Sequence, residues 1–276
     1  MKQILVPDSF RYATMSSEEL RAGFLISSIF NANALTVCWC DMDRAIVGGI
    51  VPTKHPVKLT ASPEMRCEYF LQRREVGIIN IGGAGTADVD GRRYDLAGGD
   101  GLYLGMGERN IEFSSTSPDQ PAKFYLLSYP AHAKYPSTLI RRDSITPVDL
   151  GSPAGSNQRR LYKYIHPDGV RSCQLVMGIT RLAAGSVWNT MPPHTHLRRS
   201  EIYLYFDIPP DARVIHLMGR PAETRHLVVA DQQAVLSPAW SIHAGAGTAA
   251  YSFCWGMGGE NQTFSDMDGV DIADLR

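Results

Sequence analysis

Two histidines one residue apart, His194 and His196, are followed by Glu201 and, much later, by His243 in the segment Ser237-Pro238-Ala-Trp-Ser-Ile-His243. Side chains so spread meet only if extended segments lie side by side, which constrains the fold first. In a strand successive side chains alternate, so His194 and His196 share a face. A straight strand would turn Glu201 the other way. A bend is therefore predicted within Leu197-Arg198-Arg199-Ser200, with Glu201 opening the next strand, Glu201–Phe206, and His243 arriving from a later one. Three neutral imidazoles and one carboxylate suit a divalent cation, and zinc, manganese, iron and nickel all accept such a set.

The remaining text supports a strand-rich chain. Leu35-Thr-Val-Cys-Trp39, Arg44–Val51, Val76–Ile81, Leu102-Tyr-Leu104, Arg213–Met218, Ala234-Val-Leu236 and Tyr251–Trp255 are rich in β-branched and aromatic residues and separated by Gly and Pro. Asp90-Gly91 reads as a hairpin turn. Gly82-Gly-Ala-Gly85 lacks phosphate-loop spacing and reads as a tight strand connection. One helix is predicted over 14–29, capped by Ser16 or Ser17, with Glu18 and Glu19 in its first turn. Asp100–Asn110 parallels Gln233–His243, with Asn110 in the place of His243, and the proline-rich stretch 130–160 reads as a crossing segment. The expectation is an all-β chain of two jelly-roll β-sandwich lobes with a short N-terminal helix. Residues 1–140 form a lobe without metal and residues 141–276 the lobe that binds it.

With 276 residues and a formal net charge of −1, neither nucleic acid nor an anionic membrane is an expected partner. The five scattered cysteines read as reduced thiols of a cytoplasmic protein, and the Met1–Asp8 stretch is too short an apolar run for a signal peptide.

The spacing His-x-His-x4-Glu, then Pro-x4-His, resembles the metal pattern of the cupins. Longer blocks are more specific: Ile46–Pro52, Tyr69–Gly85, Trp188–His196, Met218–His226 and Trp255–Gln262. Together they are similar to the 5-keto-4-deoxyuronate isomerase family, from about Arg21 to Arg276. The resemblance implies a bicupin and a ketol-isomerase of pectin breakdown. Its reaction would interconvert 5-dehydro-4-deoxy-D-glucuronate and 3-deoxy-D-glycero-2,5-hexodiulosonate. It also implies zinc held by His194, His196, Glu201 and His243, and a hexamer of identical chains.

An isomerase of this kind moves a proton between neighbouring carbons, so an acid–base group is expected. Glu223 and Glu260 are candidates because they flank the metal hairpin in sequence. The substrate carboxylate would be held by Arg225, Arg198 or Lys163, with Trp188, Trp240 and Met218 walling the pocket. His216 and His226 read as core or supporting residues. Two other functions use the same metal set: a metal-dependent dioxygenase and a non-enzymatic sugar-acid-binding bicupin.

Overall fold

The computed structural model describes residues 1–276, and its single α-helix is Ser17–Phe24. Ser16 caps it: its hydroxyl accepts from the Glu19 amide while the Glu19 carboxylate accepts from the Ser16 amide. The helix is shorter than the predicted 14–29. Arg11–Thr14 forms a separate 3-10 turn, and at Leu25 the backbone turns extended. Leu25 and Ile26 then pair with Val235 and Ala234, so both are buried in a sheet. Their apolar side chains satisfy a strand edge better than a fraying helix end.

The chain forms two compact units, each interrupted in sequence. The first comprises Met1–Ile4, Ser28–Ile145 and Tyr164–Val176; the second comprises Leu5–Ser27, Thr146–Lys163 and Met177–Arg276. They differ from a linear cut at 140/141 chiefly in two segments, 5–27 and 164–176, each grouped with the other half of the sequence.

In the first unit a seven-stranded sheet runs in the order Lys2–Ile4, Leu35–Cys40, Ile46–Ile50, Phe124–Pro130, Arg74–Asn80, Gly101–Leu104, Thr138–Ile140. A four-stranded sheet faces it: Val57–Lys58, Ile111–Ser115, Gly85–Val89, Arg92–Leu96. Apolar side chains of both sheets, among them Val76, Ile78, Leu126, Val89 and Phe113, form one core, and the Phe113 and Phe124 rings meet at 4.8 Å. Asp90 and Gly91 both take positive φ, which suits a two-residue turn between right-twisted strands. Gly82–Gly85 packs against the segment 120–123, where a Cβ on Gly83 would strike the Gln120 carbonyl.

The second unit repeats this order. Its large sheet runs Val148–Leu150, Arg159–Ile165, Val176–Leu182, Ser252–Gly259, Arg199–Phe206, Gln233–Ser237, Leu25–Ile26. Its small sheet runs Trp188–Asn189, Ile242–Gly247, Val214–Arg220, Glu223–Val229. The chain is thus all-β, two jelly-roll sandwiches with one short helix. The segment 130–160 is more than a crossing: it gives Thr138–Ile140 to one sheet and Val148–Leu150 to the other. No helix is long and apolar enough to cross a membrane.

Strand register corrects the repeat alignment. His243 pairs with Met218, and Phe113 pairs with Ala87. Counted from the two-residue turns of the two hairpins, Ala87 and Met218 are equivalent, so Phe113, not Asn110, stands where His243 does. Asn110 instead bonds the Asp90 carboxylate and braces the Asp90-Gly91 turn. Val76 pairs with Leu104 as Glu201 pairs with Ser237, so Val76 occupies the Glu201 position. Two ligand positions of the second unit are apolar core residues in the first.

A candidate metal centre in the second unit

The bend predicted before Glu201 is present: the Arg199 amide donates to the His196 carbonyl at 3.0 Å. His194 lies on a two-residue strand paired with Asp268–Gly269. Glu201 sits in Arg199–Phe206, a strand buried along its whole length between Ser252–Gly259 and Gln233–Ser237. His243 comes from the opposite sheet. Segments remote in sequence thus bring four ligand atoms within 4.8 Å of one another.

One contact orients a ring. His196 Nδ1 is 2.9 Å from the Arg199 carbonyl oxygen and donates to it, which leaves Nε2, turned toward Glu201, as the atom that would ligate a cation once deprotonated. His196 Nε2 and His243 Nε2 each lie 3.0 Å from Glu201 Oε2, and His243 Nε2 lies 3.0 Å from His194 Nε2. Two ring nitrogens that close cannot both carry protons, so at least one presents a lone pair to the cluster.

Burial and charge act against each other. Burial would raise the Glu201 carboxyl, but His243 and His196 outweigh it and hold it well below the usual carboxylate range. Burial, helped by the neighbouring His243, pushes His194 down to about 3. His196 moves up despite its burial, because its hydrogen bond to Glu201 stabilises the charged ring. The imidazoles respond differently because they share one carboxylate, and Glu201 is ionised. A buried carboxylate facing imidazole lone pairs fits a divalent cation, which satisfies all four groups at once.

Beside the cluster opens a cavity of about 360 Å³ lined by His194, His196 and Glu201, and by Arg159, Thr190, Arg199, Tyr203, Trp255, Phe264 and Met267. The Tyr203 hydroxyl lies 3.3 Å from Thr190 Oγ1, and its ring stands perpendicular to His243 at 5.6 Å between centroids. Burial and the nearby Glu201 charge push the phenol well above its ordinary pKa, so it is a hydroxyl donor.

The other predicted site residues do not line this cavity. Glu223 is exposed at a hairpin, with its carbonyl accepting from Tyr12 Oη at 2.7 Å. Glu260 is also exposed, its amide bonded to the Arg198 carbonyl. Arg225 donates to the carbonyls of Tyr12, Ala13 and Met15 at 3.2, 2.8 and 2.7 Å, pinning the segment before the helix. Arg198 bonds both Asp266 oxygens and Asp268, securing the C-terminal segment whose strand pairs with His194.

Lys163 lies 4.5 Å above the ring of Phe264, a cavity wall residue. Trp188 pairs with Ala246 outside the lining, and Trp240 packs on Tyr12 and Phe24. Met218 is buried beside His243. His216 is buried with Nδ1 2.7 Å from Tyr205 Oη, whereas His226 is exposed.

Sequence reasoning missed Tyr203, Arg199 and Arg159. For Tyr203 a signal existed: it follows Glu201 by two residues in a strand and so shares its face. Arg199 was hidden in one of several Arg-Arg pairs that read as solvated.

Comparisons with known proteins place these features. The model described as the KduI/IolB family matches residues 27–272. The 4-deoxy-L-threo-5-hexosulose-uronate ketol-isomerase of Lachnoclostridium phytofermentans is 54% identical over 261 residues, covering 95% of each chain. The enzyme of that name from Opitutus terrae is 51% identical over 277 residues, covering 100% of each. Among solved structures, an IolB-like protein of Salmonella typhimurium superposes with a TM-score of 0.68 at 13% identity, covering 93% of this chain and 91% of that one. Oxalate decarboxylase of Bacillus subtilis gives 0.57 at 9%, covering 80% and 70%, a likeness of fold alone.

Proposed function

Because the chain belongs to the KduI/IolB family, we propose that the cavity beside His194, His196, Glu201 and His243 performs the ketol isomerisation for which its relatives are named. The chain is a ketol-isomerase of uronate catabolism. Its substrate pair in this reading is 5-dehydro-4-deoxy-D-glucuronate and 3-deoxy-D-glycero-2,5-hexodiulosonate. The observation that carries it is end-to-end identity of about half to ketol-isomerases, with a converged three-His, one-Glu cluster facing a cavity.

His194, His196, Glu201 and His243 would hold one divalent cation, zinc in this proposal. Bound there, it would supply Lewis acidity toward a carbonyl and the neighbouring hydroxyl, stabilising the charge that develops on oxygen by several kcal/mol. The Arg199 carbonyl fixes the His196 ring through Nδ1. The Tyr203 hydroxyl, protonated and buried, can donate a hydrogen bond to a substrate oxygen, and we assign it the role of hydrogen-bond donor to the oxygen on which charge develops. Glu223 and Glu260, outside the lining, are too poorly placed to do so. Trp255 and Phe264 wall the cavity and limit water beside the reacting carbons. We further propose that the protein works in the cytoplasm, in pectin breakdown, as a hexamer; five free cysteines support the compartment.

The test is turnover of 5-dehydro-4-deoxy-D-glucuronate by metal-loaded protein under strict anaerobiosis, with metal analysis and sedimentation on the same sample. Isomerisation without oxygen, with about one zinc per chain, is expected. Oxygen-dependent consumption would make it a dioxygenase, and tight binding without turnover a sugar-acid binder.

A further inference from the structure

Arg199 is buried to 1% exposure at the start of the strand that carries Glu201, and it lines the cavity. Its Nη2 donates to the Asp266 carbonyl at 2.8 Å. Its Nε and Nη1 are buried and meet no acceptor in the protein. The only carboxylate nearby on its own strand, Glu201, is engaged with two imidazoles. A buried guanidinium with idle donors is costly, since its charge has left water without regaining the hydrogen bonds it made there.

The first unit shows that the position does not require idle donors. Register places Arg74 where Arg199 stands, and Arg74 uses Nε on Ser128 Oγ at 3.1 Å and Nη2 on the Ser128 and Arg44 carbonyls at 2.9 and 2.6 Å. Arg159, half-buried on the cavity wall, adds a second cation, with Nη1 on the Asn157 carbonyl at 2.8 Å.

We propose that Arg199 grips the substrate carboxylate through Nε and Nη1, with Arg159 as the supporting cation. This deepens the reading above and rests on it. The residues named from sequence for this task, Arg225 and Arg198, are occupied by backbone carbonyls and by Asp266 and Asp268. The grip sets the orientation of the sugar: carboxylate end at Arg199, reacting carbons toward the metal cluster.

The experiment compares the keto-uronate with its carboxamide on wild type, Arg199→Gln and Arg159→Gln, each checked for metal content. Loss of charge-assisted hydrogen bonds should raise the KM of Arg199→Gln for the acid roughly 10–100-fold. Its KM for the amide and its metal content should change little, so the preference for acid over amide disappears. Arg159→Gln should show a smaller change of the same kind. Equal losses on acid and amide would mean a purely structural role and overturn the proposal, as would an unchanged preference.

Should glutamine at this position empty the metal site, Arg199→Lys carries the same comparison with the charge retained: the point-charge ammonium should weaken acid binding selectively. If wild type never turns the keto-uronate over, the isomerase reading fails. Calorimetric binding of D-glucuronate to wild type and Arg199→Gln then still reads the grip, which stands only if the variant loses that binding.

Discussion

Glu201 shows how one residue can tie a fold to its chemistry. It is 5% exposed in a fully buried strand, where an ionised carboxylate is tolerated only among groups that answer its charge. Glu201→Gln keeps the shape and removes the charge. Metal affinity, read by competition with a chelator, should fall by more than the ~10–100-fold that losing a merely supporting hydrogen bond costs, and activity with it. A variant that keeps its full metal complement would remove Glu201 from the ligand set. Tyr203 stands two residues on, on the same face. Tyr203→Phe should keep the metal and lose roughly 10²–10³ in kcat, the cost of removing one hydrogen bond to developing charge. A kcat within a factor of about three of wild type would leave that hydrogen bond to another group.

Among elements, the helix and its approach matter more than their length suggests. The segment 5–27 packs within the second unit: Tyr12 and Phe24 sandwich Trp240, and Leu25–Ile26 closes the edge of Gln233–Ser237. Arg225 holds this segment by three carbonyls, so its role is attachment. Arg225→Met should lower stability by about 2–3 kcal/mol, the scale of hydrogen bonds from a charged donor, while KM stays near wild type. Denaturant unfolding with parallel kinetics distinguishes this from substrate binding, which would raise KM without moving the unfolding midpoint. The C-terminal strand Asp268–Gly269 is a second such element, held on His194–Thr195 by pairing and by the Arg198–Asp266–Asp268 cluster.

At the scale of the molecule, the sandwiches share an order of strands and differ in what fills two equivalent positions. Val76 and Phe113 make one interior apolar; Glu201 and His243 make the other a site. Metal removal should therefore act unevenly. A cation present at 1,000 times its dissociation constant stabilises by about 4 kcal/mol, and chelation should lower the melting temperature by roughly 10 °C. Amide exchange should quicken in Arg199–Phe206 and Ile242–Gly247 and stay unchanged in Arg74–Asn80. Equal loosening of both units would contradict a metal confined to the second.

The all-β class and the run His194-x-His196-x4-Glu201 were legible in the sequence because each is local, and His243 joined them through the resemblance to the cupin pattern. Strand periodicity, turn residues and the bend between His196 and Glu201 are written in neighbouring side chains. The residues around the cavity were not. Arg198 and Arg199 are adjacent and chemically identical; pairing in the strand sends one to Asp266 and Asp268 and leaves the other buried with idle donors. Glu223 and Glu260 flank the metal hairpin in sequence and lie outside the cavity, because nearness in sequence to a site does not place a side chain within it. Asn110 lost the His243 position to Phe113 because register is set by ladder hydrogen bonds and hairpin turns. Local preference determined the elements and the His-x-His-x4-Glu run; packing of remote strands, a non-local property, brought His243 to it and decided which charged groups face the cavity.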